Sequence, residues 1–181
     1  SQLLFGEEFT LLERSGNWLS ISLDFDGTEG WVSKELVELR EVENDKKKGL
    51  EEPFSLASLP STTILDLTMG QQRIIPAGAV WSSEQDNSML WYGPSFEQLS
   101  GEGFIKPGAG NNLREIGKRL LSLPHIPGGR SGFGFDGPGL VQMLNRMMGK
   151  KIPRYCQQMA ELGSTINFMT EVREGDLAFF D

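Results

Sequence analysis

Short runs that alternate apolar and polar residues occupy most of the first hundred positions. Trp18–Leu23 alternates as expected of a strand with one buried face. Asp24–Gly27 follows with residues that a hairpin turn favours. Comparable runs, punctuated by Gly and Pro, predict further strands at residues 9–12, 30–32, 62–67, 73–75, 79–81 and 89–92. The pattern therefore predicts small β modules in this part of the chain.

Helical spacing replaces this alternation after residue 108. Residues 112–121 have the apolar spacing of a helix, and Asn111 or Asn112 fits its N-cap. A second helix is predicted to start near Pro138, since proline suits the first helical position and apolar residues recur behind it: Leu140, Val141, Leu144 and Met147. Strands followed by helices indicate an α+β fold.

These changes of pattern divide the chain into four segments. We predict a first β module at residues 1–43, a charged linker at 44–56, a second β module at 57–107 and an α+β region at 108–181. Residues 40–53 carry mixed charges without an aromatic side chain, which is typical of a solvated linker. The aromatic residues of the second module are predicted to pack in a core rather than to form a ligand cage: Trp81, Trp91 and Tyr92.

Composition narrows the function classes. The 181 residues are 38% hydrophobic and 23% charged, with a formal net charge of -8. That charge argues against a nucleic-acid partner, which would need a basic face. No apolar run reaches the length of a membrane span, and no secretory leader is present, although one could have been removed before Ser1. One Cys and one His are too few for a zinc site, and we expect no metal and no cofactor.

The glycine-rich stretch at residues 128–139 is the most informative motif. It reads Gly-Gly-Arg-Ser-Gly-Phe-Gly-Phe-Asp-Gly-Pro-Gly and leads into the second predicted helix. Gly132, Gly134 and Gly137 spell the dinucleotide pattern G-x-G-x-x-G, but neither a preceding apolar strand nor a repeating βα pattern supports nucleotide binding. The stretch resembles the nucleophile motif of the NlpC-type cell-wall peptidases, in which GGRS-x-x-G-x-D is followed by Cys-Ser-Gly.

The sequence departs from that motif at the positions that would carry out the reaction. Gly137 stands where the family has its nucleophilic Cys, and Pro138 stands where the following Ser would be. A thiol at the first turn of a helix would be activated by the positive end of the helix dipole, and nearby N–H groups could stabilise an oxyanion. Glycine offers no group that can attack a carbonyl. We therefore expect no covalent amide hydrolysis by this chain as written.

Other stretches extend the resemblance. Residues 1–7, Trp18-Leu19 and residues 29–33 are similar to a bacterial SH3-like domain, and residues 57–107 resemble a second such module in order and size. Residues 151–160 resemble the family's Pro-Arg segment, which implies a third helix that opens at Pro153. Residues 174–180 match the family's Gly-Asp-Leu strand. The resemblance implies two small SH3-like β-barrel modules followed by a partial papain-like NlpC-type core. It also implies a first SH3-like strand and a His-bearing strand that the printed sequence lacks. Open sheet edges of this kind predict either a homo-oligomer or the need for a partner segment.

Three residues are candidates for substrate binding. By resemblance, Asp136 binds the free amine of the substrate, although an Asp at a helix start could equally cap N–H groups. Arg130 and Ser131 match the family's loop residues and could bind substrate or hold the loop. His125 is predicted to be a surface or pocket-lining residue, and Cys156 a buried apolar filler rather than a replacement nucleophile.

The acidic cluster of the first module has two readings. Asp24, Asp26 and Glu29 could begin a calcium loop, but such a loop needs Gly at its sixth position, which here is Glu29. Hairpin chemistry accounts better for these residues.

Three functions remain open. The resemblance implies a member of a peptidoglycan stem-peptide endopeptidase family, inactive in this form, whose relatives cleave between γ-D-glutamate and a diamino acid. Alternatively, the chain is a non-catalytic module that binds murein peptides or a protein partner, or it is a fragment or variant of an active cysteine endopeptidase. In each case the resemblance implies a place in the cell envelope, periplasmic or secreted.

Overall fold

The structure, a computed structural model, describes residues 1–37, 39, 54–58, 60–67, 69–82, 96–100, 103–108 and 112–180. It contains eleven strands in the described residues: β1 Phe9–Ser15, β2 Trp18–Leu23, β3 Glu29–Ser33, β4 Phe54–Ala57, β5 Ser61–Asp66, β6 Gln71–Pro76, β7 Val80–Ser82, β8 Phe96–Ser100, β9 Phe104–Ile105, β10 Arg130–Ser131 and β11 Gly134–Phe135. The α-helices are α1 Leu113–Arg119, α2 Gly137–Met147 and α3 Cys156–Ala160, and short 3-10 turns lie at Lys34–Leu36 and Met169–Glu171. The predicted α+β class is confirmed.

The first module is an antiparallel meander in the order β1-β2-β3. Its central strand β2 alternates as the sequence predicts, with Leu19, Ile21 and Leu23 buried on one face. The turn after β2 is the predicted hairpin: Gly27 has a φ of 73° and its N–H donates to the carbonyl of Leu23 at 2.8 Å. Glycine adopts this left-handed conformation without steric cost.

The second module consists of two three-stranded sheets, β7-β4-β9 and β6-β5-β8. Its small core is formed by Ala57, Ile64, Ile75 and Ala79. Trp81 packs against this core and stacks on Phe104, with ring centroids 4.7 Å apart, which confirms its predicted packing role. The module begins at Phe54, so the predicted linker over 44–56 overlaps its first strand. The predicted strand at 89–92, with Trp91 and Tyr92, and the charged run at 40–53 lie outside the described residues.

The helical region packs onto both β modules through one shared core. Asn112 caps α1 as predicted, because its side chain accepts hydrogen bonds from the N–H groups of Arg114 and Glu115. The amphipathic helix α2 contributes Met143 and Met147 to a cluster that also contains side chains from the N-terminal segment, the second module, α1 with its C-cap, and β11: Leu4, Leu56, Ala77, Val80, Ile116, Leu120 and Phe135. Burying apolar surface from all three regions joins them into one folded body.

Two predictions about the last part of the chain are wrong. Helix α3 does not open at Pro153 but begins three residues later, at Cys156. Residues 151–153 have no regular secondary structure, and a bend follows at residues 154–155. No strand forms at residues 174–180, where the chain makes a turn and then runs without ladder partners among the described residues. Residues 160–180 are all exposed. A strand needs a hydrogen-bonded neighbour, which sequence similarity alone does not provide.

None of the helices in the described ranges has both the length and the apolar character needed to cross a bilayer. Association of copies through sheet edges stays a prediction.

Candidate functional site

The site lies where the β10-β11 hairpin leads into α2. In this hairpin Arg130 pairs with Phe135 and Ser131 with Gly134. Asp136 follows at the N-cap of α2 in extended conformation, and its Oδ1 accepts a hydrogen bond from the N–H of Gly139 at 2.7 Å. Gly137 is then the first residue of the helix, next to Pro138. The glycine-rich stretch thus ends at a helix N-terminus, as the sequence predicts.

The carboxylate of Asp136 is held on both oxygens. Besides the cap at Oδ1, Oδ2 accepts hydrogen bonds from the N–H of Gly128 at 3.0 Å and from Nη2 of Arg154 at 2.7 Å. Burial by itself would raise the pKa of Asp136, but the hydrogen bonds and the positive charge of Arg154 outweigh burial, and the pKa lies below its ordinary value. The capping interpretation is confirmed; the amine-binding role stays a prediction.

Position 137 is open. Gly137 is exposed, and a Cβ built on it would meet no atom within 4 Å outside its neighbours and the helix backbone. Gly139 differs, because its Cβ would overlap the carbonyl oxygen of Gly129 and crowd Oδ1 of Asp136. Packing therefore requires glycine at position 139, whereas position 137 has room for a Cβ.

Arg130 is buried and faces the N-terminal segment of the chain. Its guanidinium is 2% exposed and makes a two-point ion pair with Glu7, from Nη1 to Oε2 at 3.1 Å and from Nη2 to Oε1 at 3.0 Å. Nη1 also donates to the carbonyl of Gln2, and the backbone N–H of Arg130 donates to Oε1 of Gln2. Ser131 is buried as well, and its Oγ accepts from the N–H of Phe133 at 3.4 Å. These contacts hold the loop.

A second arginine shares the same carboxylate. Nη1 of Arg146, on α2, lies 2.6 Å from Oε1 of Glu7, and its guanidinium sits 4.1 Å from the ring centre of Phe25. Burial lowers the pKa of Arg146, and the charge of Glu7 partly offsets this effect. Two guanidiniums thus converge on one buried carboxylate, which ties both the hairpin loop and α2 to the first module.

The β2–β3 hairpin docks on α2. Oδ2 of Asp26 accepts a hydrogen bond from Nε2 of Gln142 at 2.7 Å, while Oδ1 accepts from the N–H of Thr28. Nζ of Lys151 donates to the carbonyl of Asp24 at 3.4 Å. These bonds support the hairpin interpretation of the acidic cluster. Across the described ranges, no three His, Cys, Asp or Glu side chains group as metal ligands would.

The remaining thiol and imidazole are exposed. His125 lies in the turn before the hairpin, where its backbone forms an isolated bridge with Phe135. Cys156 is exposed at the first position of α3, so its predicted packing role is wrong. The physical reason is the shortness of α3, whose five residues bury Met159 alone.

Sequence reasoning missed three residues that shape this site: Glu7, Arg146 and Arg154. Glu7 lies in a stretch noted only for its SH3 resemblance. Arg146 could have been identified from the sequence, because it lies between Met143 and Met147 on the apolar side of a predicted helix. A charge at such a position requires a partner, although the sequence does not say which.

Comparisons with known proteins agree with this arrangement. The family model described as "Bacterial dipeptidyl-peptidase Sh3 domain" matches residues 1–36, and the NlpC/P60 family model matches residues 123–181. A gamma-D-glutamyl-L-lysine dipeptidyl-peptidase of Bacillus cereus (strain ATCC 10987 / NRS 248) is 25% identical over 210 residues, covering 99% of this chain and 59% of the relative. The enzyme of the same name from Bacillus subtilis (strain 168) is 25% identical over 190 residues, covering 99% and 63%.

A solved structure shares the fold. The crystal structure of an NlpC/P60 family protein from Bacillus cereus ATCC 10987 superimposes with a TM-score of 0.72 at 20% identity, covering 95% of this chain and 62% of that chain. The chain thus spans only part of the length of these relatives. The resemblance stated from the sequence is nevertheless confirmed: residues 1–36 match a bacterial SH3 domain model and residues 123–181 match the NlpC/P60 family model.

Proposed function

We propose that this chain binds peptidoglycan stem peptides in the cell envelope at the N-terminal end of α2, and that in this form it does not cleave them. The proposed lack of cleavage rests on Gly137. This exposed residue is the first of the helix and has no side chain at the position of the family's nucleophile. The residues around Gly137 still form a glycine-rich loop that leads into a helix capped by Asp136. The names of its relatives, which refer to a γ-D-glutamyl-L-lysine dipeptide bond, supply the class of ligand.

Asp136 is the proposed recognition group for a free amine of the peptide. Its carboxyl side chain is 18% exposed, and because its pKa is lowered it stays ionised at neutral pH. A carboxylate accepts more than the three hydrogen bonds that Asp136 has here, so an ammonium group can be added. Arg130 and Ser131 are too buried to touch a ligand. Their proposed role is to position the loop that carries Asp136.

Calorimetry with an L-Ala-γ-D-Glu-diamino acid tripeptide tests the binding proposal. Asp136→Asn is the sharper variant, because Asn also caps helices and therefore preserves the start of α2. We expect heat of binding with the unmodified chain and at least a tenfold weaker affinity with Asp136→Asn. Phe133→Ala, an exposed change in the same loop, serves as the control and should bind as the unmodified chain does. Equal binding by Asp136→Asn, or no heat from the unmodified chain, would contradict the proposal.

The open space at Gly137 favours the alternative in which an active relative of this chain carries a thiol there. A Gly137→Cys chain in a Cys156→Ser background tests this directly. We expect it to fold normally and to be alkylated by iodoacetamide severalfold faster than Cys156 of the unmodified chain. Position 137 opens the eleven-residue α2, whereas Cys156 opens only the five-residue α3, and the longer helix has the larger dipole to favour a thiolate. Mass spectrometry reads the modification. Release of dipeptide from a muropeptide by a sequence-verified unmodified chain would overturn the proposed lack of cleavage.

A further inference from the structure

The outer face of the first β sheet exposes two tryptophans. The register pairs Trp18 with Ser33 and Ser20 with Trp31, so both indoles lie on the same face of neighbouring strands. They are 54% and 53% exposed, whereas Leu19, on the opposite face of β2, is buried. Diagonal neighbours of this kind lie about 7–8 Å apart, within reach of large aromatic side chains. Exposed apolar surface in one patch marks an interaction site more often than isolated residues do.

The positions around these indoles are acidic or neutral. Glu13 lies opposite Ser20 on β1, and Glu29 lies opposite Ser22 on β3. The other residues that share this face by register are hydroxyl side chains: Thr10, Ser15, Ser20, Ser22 and Ser33. In the part of the chain that the structure describes, neither Glu13 nor Glu29 pairs with a basic side chain. The patch therefore combines indole surface with two exposed carboxylates that form no ion pair among the described residues.

We propose that this outer face, formed by Trp18, Ser20, Trp31, Glu13 and Glu29, binds lysine-bearing peptides through the side-chain ammonium group. An alkylammonium ion is attracted to the faces of indole rings, and its methylene stem covers apolar surface. The two carboxylates favour the same charge, and the net charge of -8 attracts cations over longer distances. A neutral sugar would gain nothing from these charges, which is why the observations favour a cationic peptide over a glycan.

The peptide acetyl-Lys-Lys-Lys-amide is a suitable probe, titrated by calorimetry in low salt. We expect a dissociation constant on the order of millimolar, as for other weak surface contacts. Because one exposed cation–π contact is worth about 0.5–1 kcal/mol, Trp18→Ala and Trp31→Ala should each weaken binding about two- to fivefold. The double variant should abolish measurable binding, and Glu13→Gln should weaken it less. Ile74→Ala, an exposed apolar change on the second module, is the matched control and should have no effect.

Two further arms decide the outcome. The same peptide acetylated on its side-chain amines should not bind, and Phe133→Ala, an exposed aromatic change in the loop before α2, should bind the unacetylated peptide unchanged, which places the contact on the first module. Thermal melts establish that each variant is folded. Equal binding of the acetylated peptide, loss of binding in Phe133→Ala, insensitivity to the Trp18→Ala and Trp31→Ala changes, or absence of binding would each overturn the assignment. Tighter binding of an N-acetylglucosamine oligomer than of the lysine peptide would overturn it in favour of a sugar surface.

Discussion

The loop and helix at residues 128–147 and the segment at residues 161–180 both lie within the NlpC/P60 match, yet they differ in how they are held. The first is fixed by a buried carboxylate shared between two arginines, by a capped helix start and by a core drawn from three regions. The second exposes every residue, including large apolar ones such as Phe168, Met169 and Phe180. The structure of this family region is therefore set by contacts with the preceding modules rather than by the motif sequence alone.

Glu7→Ala should give the largest effect, because it breaks the connection on which the first region depends. The change leaves two buried guanidiniums without their counter-charge, and such losses cost about 3–5 kcal/mol of unfolding free energy. Chemical denaturation of the full chain measures the change. Glu29→Ala, an exposed carboxylate of the same module, is the matched control and should shift stability by less than about 0.5 kcal/mol. A Glu7→Ala chain as stable as the control would show that the first module does not hold the loop.

The sequence does not reveal which distant residues pair with each other. The alternating pattern predicts β2, the N-cap residue predicts the start of α1, and the glycine-rich motif predicts the start of α2. Each of these depends on residues that lie close together in the chain. Glu7 is 123 residues from Arg130 and 139 from Arg146, and no local pattern carries such a pairing. The amine-binding candidate Asp136 was found from the motif, but its contact with Arg154 was not. The strand expected at 174–180 from the family resemblance failed for a related reason, since similarity to a family strand does not supply a neighbouring strand.

Two glycine substitutions, one in the packed loop and one in the exposed segment, compare how closely these two regions are packed. Gly132 approaches the second module so closely that a Cβ would overlap the carbonyl oxygen of Pro60, whereas a Cβ on Gly163 would meet nothing within 4 Å. We expect Gly132→Ala to cost about 2–3 kcal/mol, as overpacking of a tight contact does. Gly163→Ala should be neutral within about 0.5 kcal/mol. Denaturation midpoints of the two variants provide the comparison, and equal midpoints would mean that the loop is not closely packed.

The smallest effect concerns the charge of Asp136 and depends on pH. Because the folded pKa of Asp136 lies below its ordinary value, the native state binds this proton less readily than the unfolded state. The stabilisation by the ionised carboxylate is therefore fully present above the pKa of the unfolded chain and is lost as the pH falls through the folded pKa. Asp136→Asn keeps the cap acceptor but removes the charge facing Arg154, and should cost about 1–2 kcal/mol at pH 7. Urea denaturation between pH 7 and pH 3 should show the two proteins converging in stability below pH 4. A difference that stays constant over this range would mean that the charge of Asp136 does not stabilise the site.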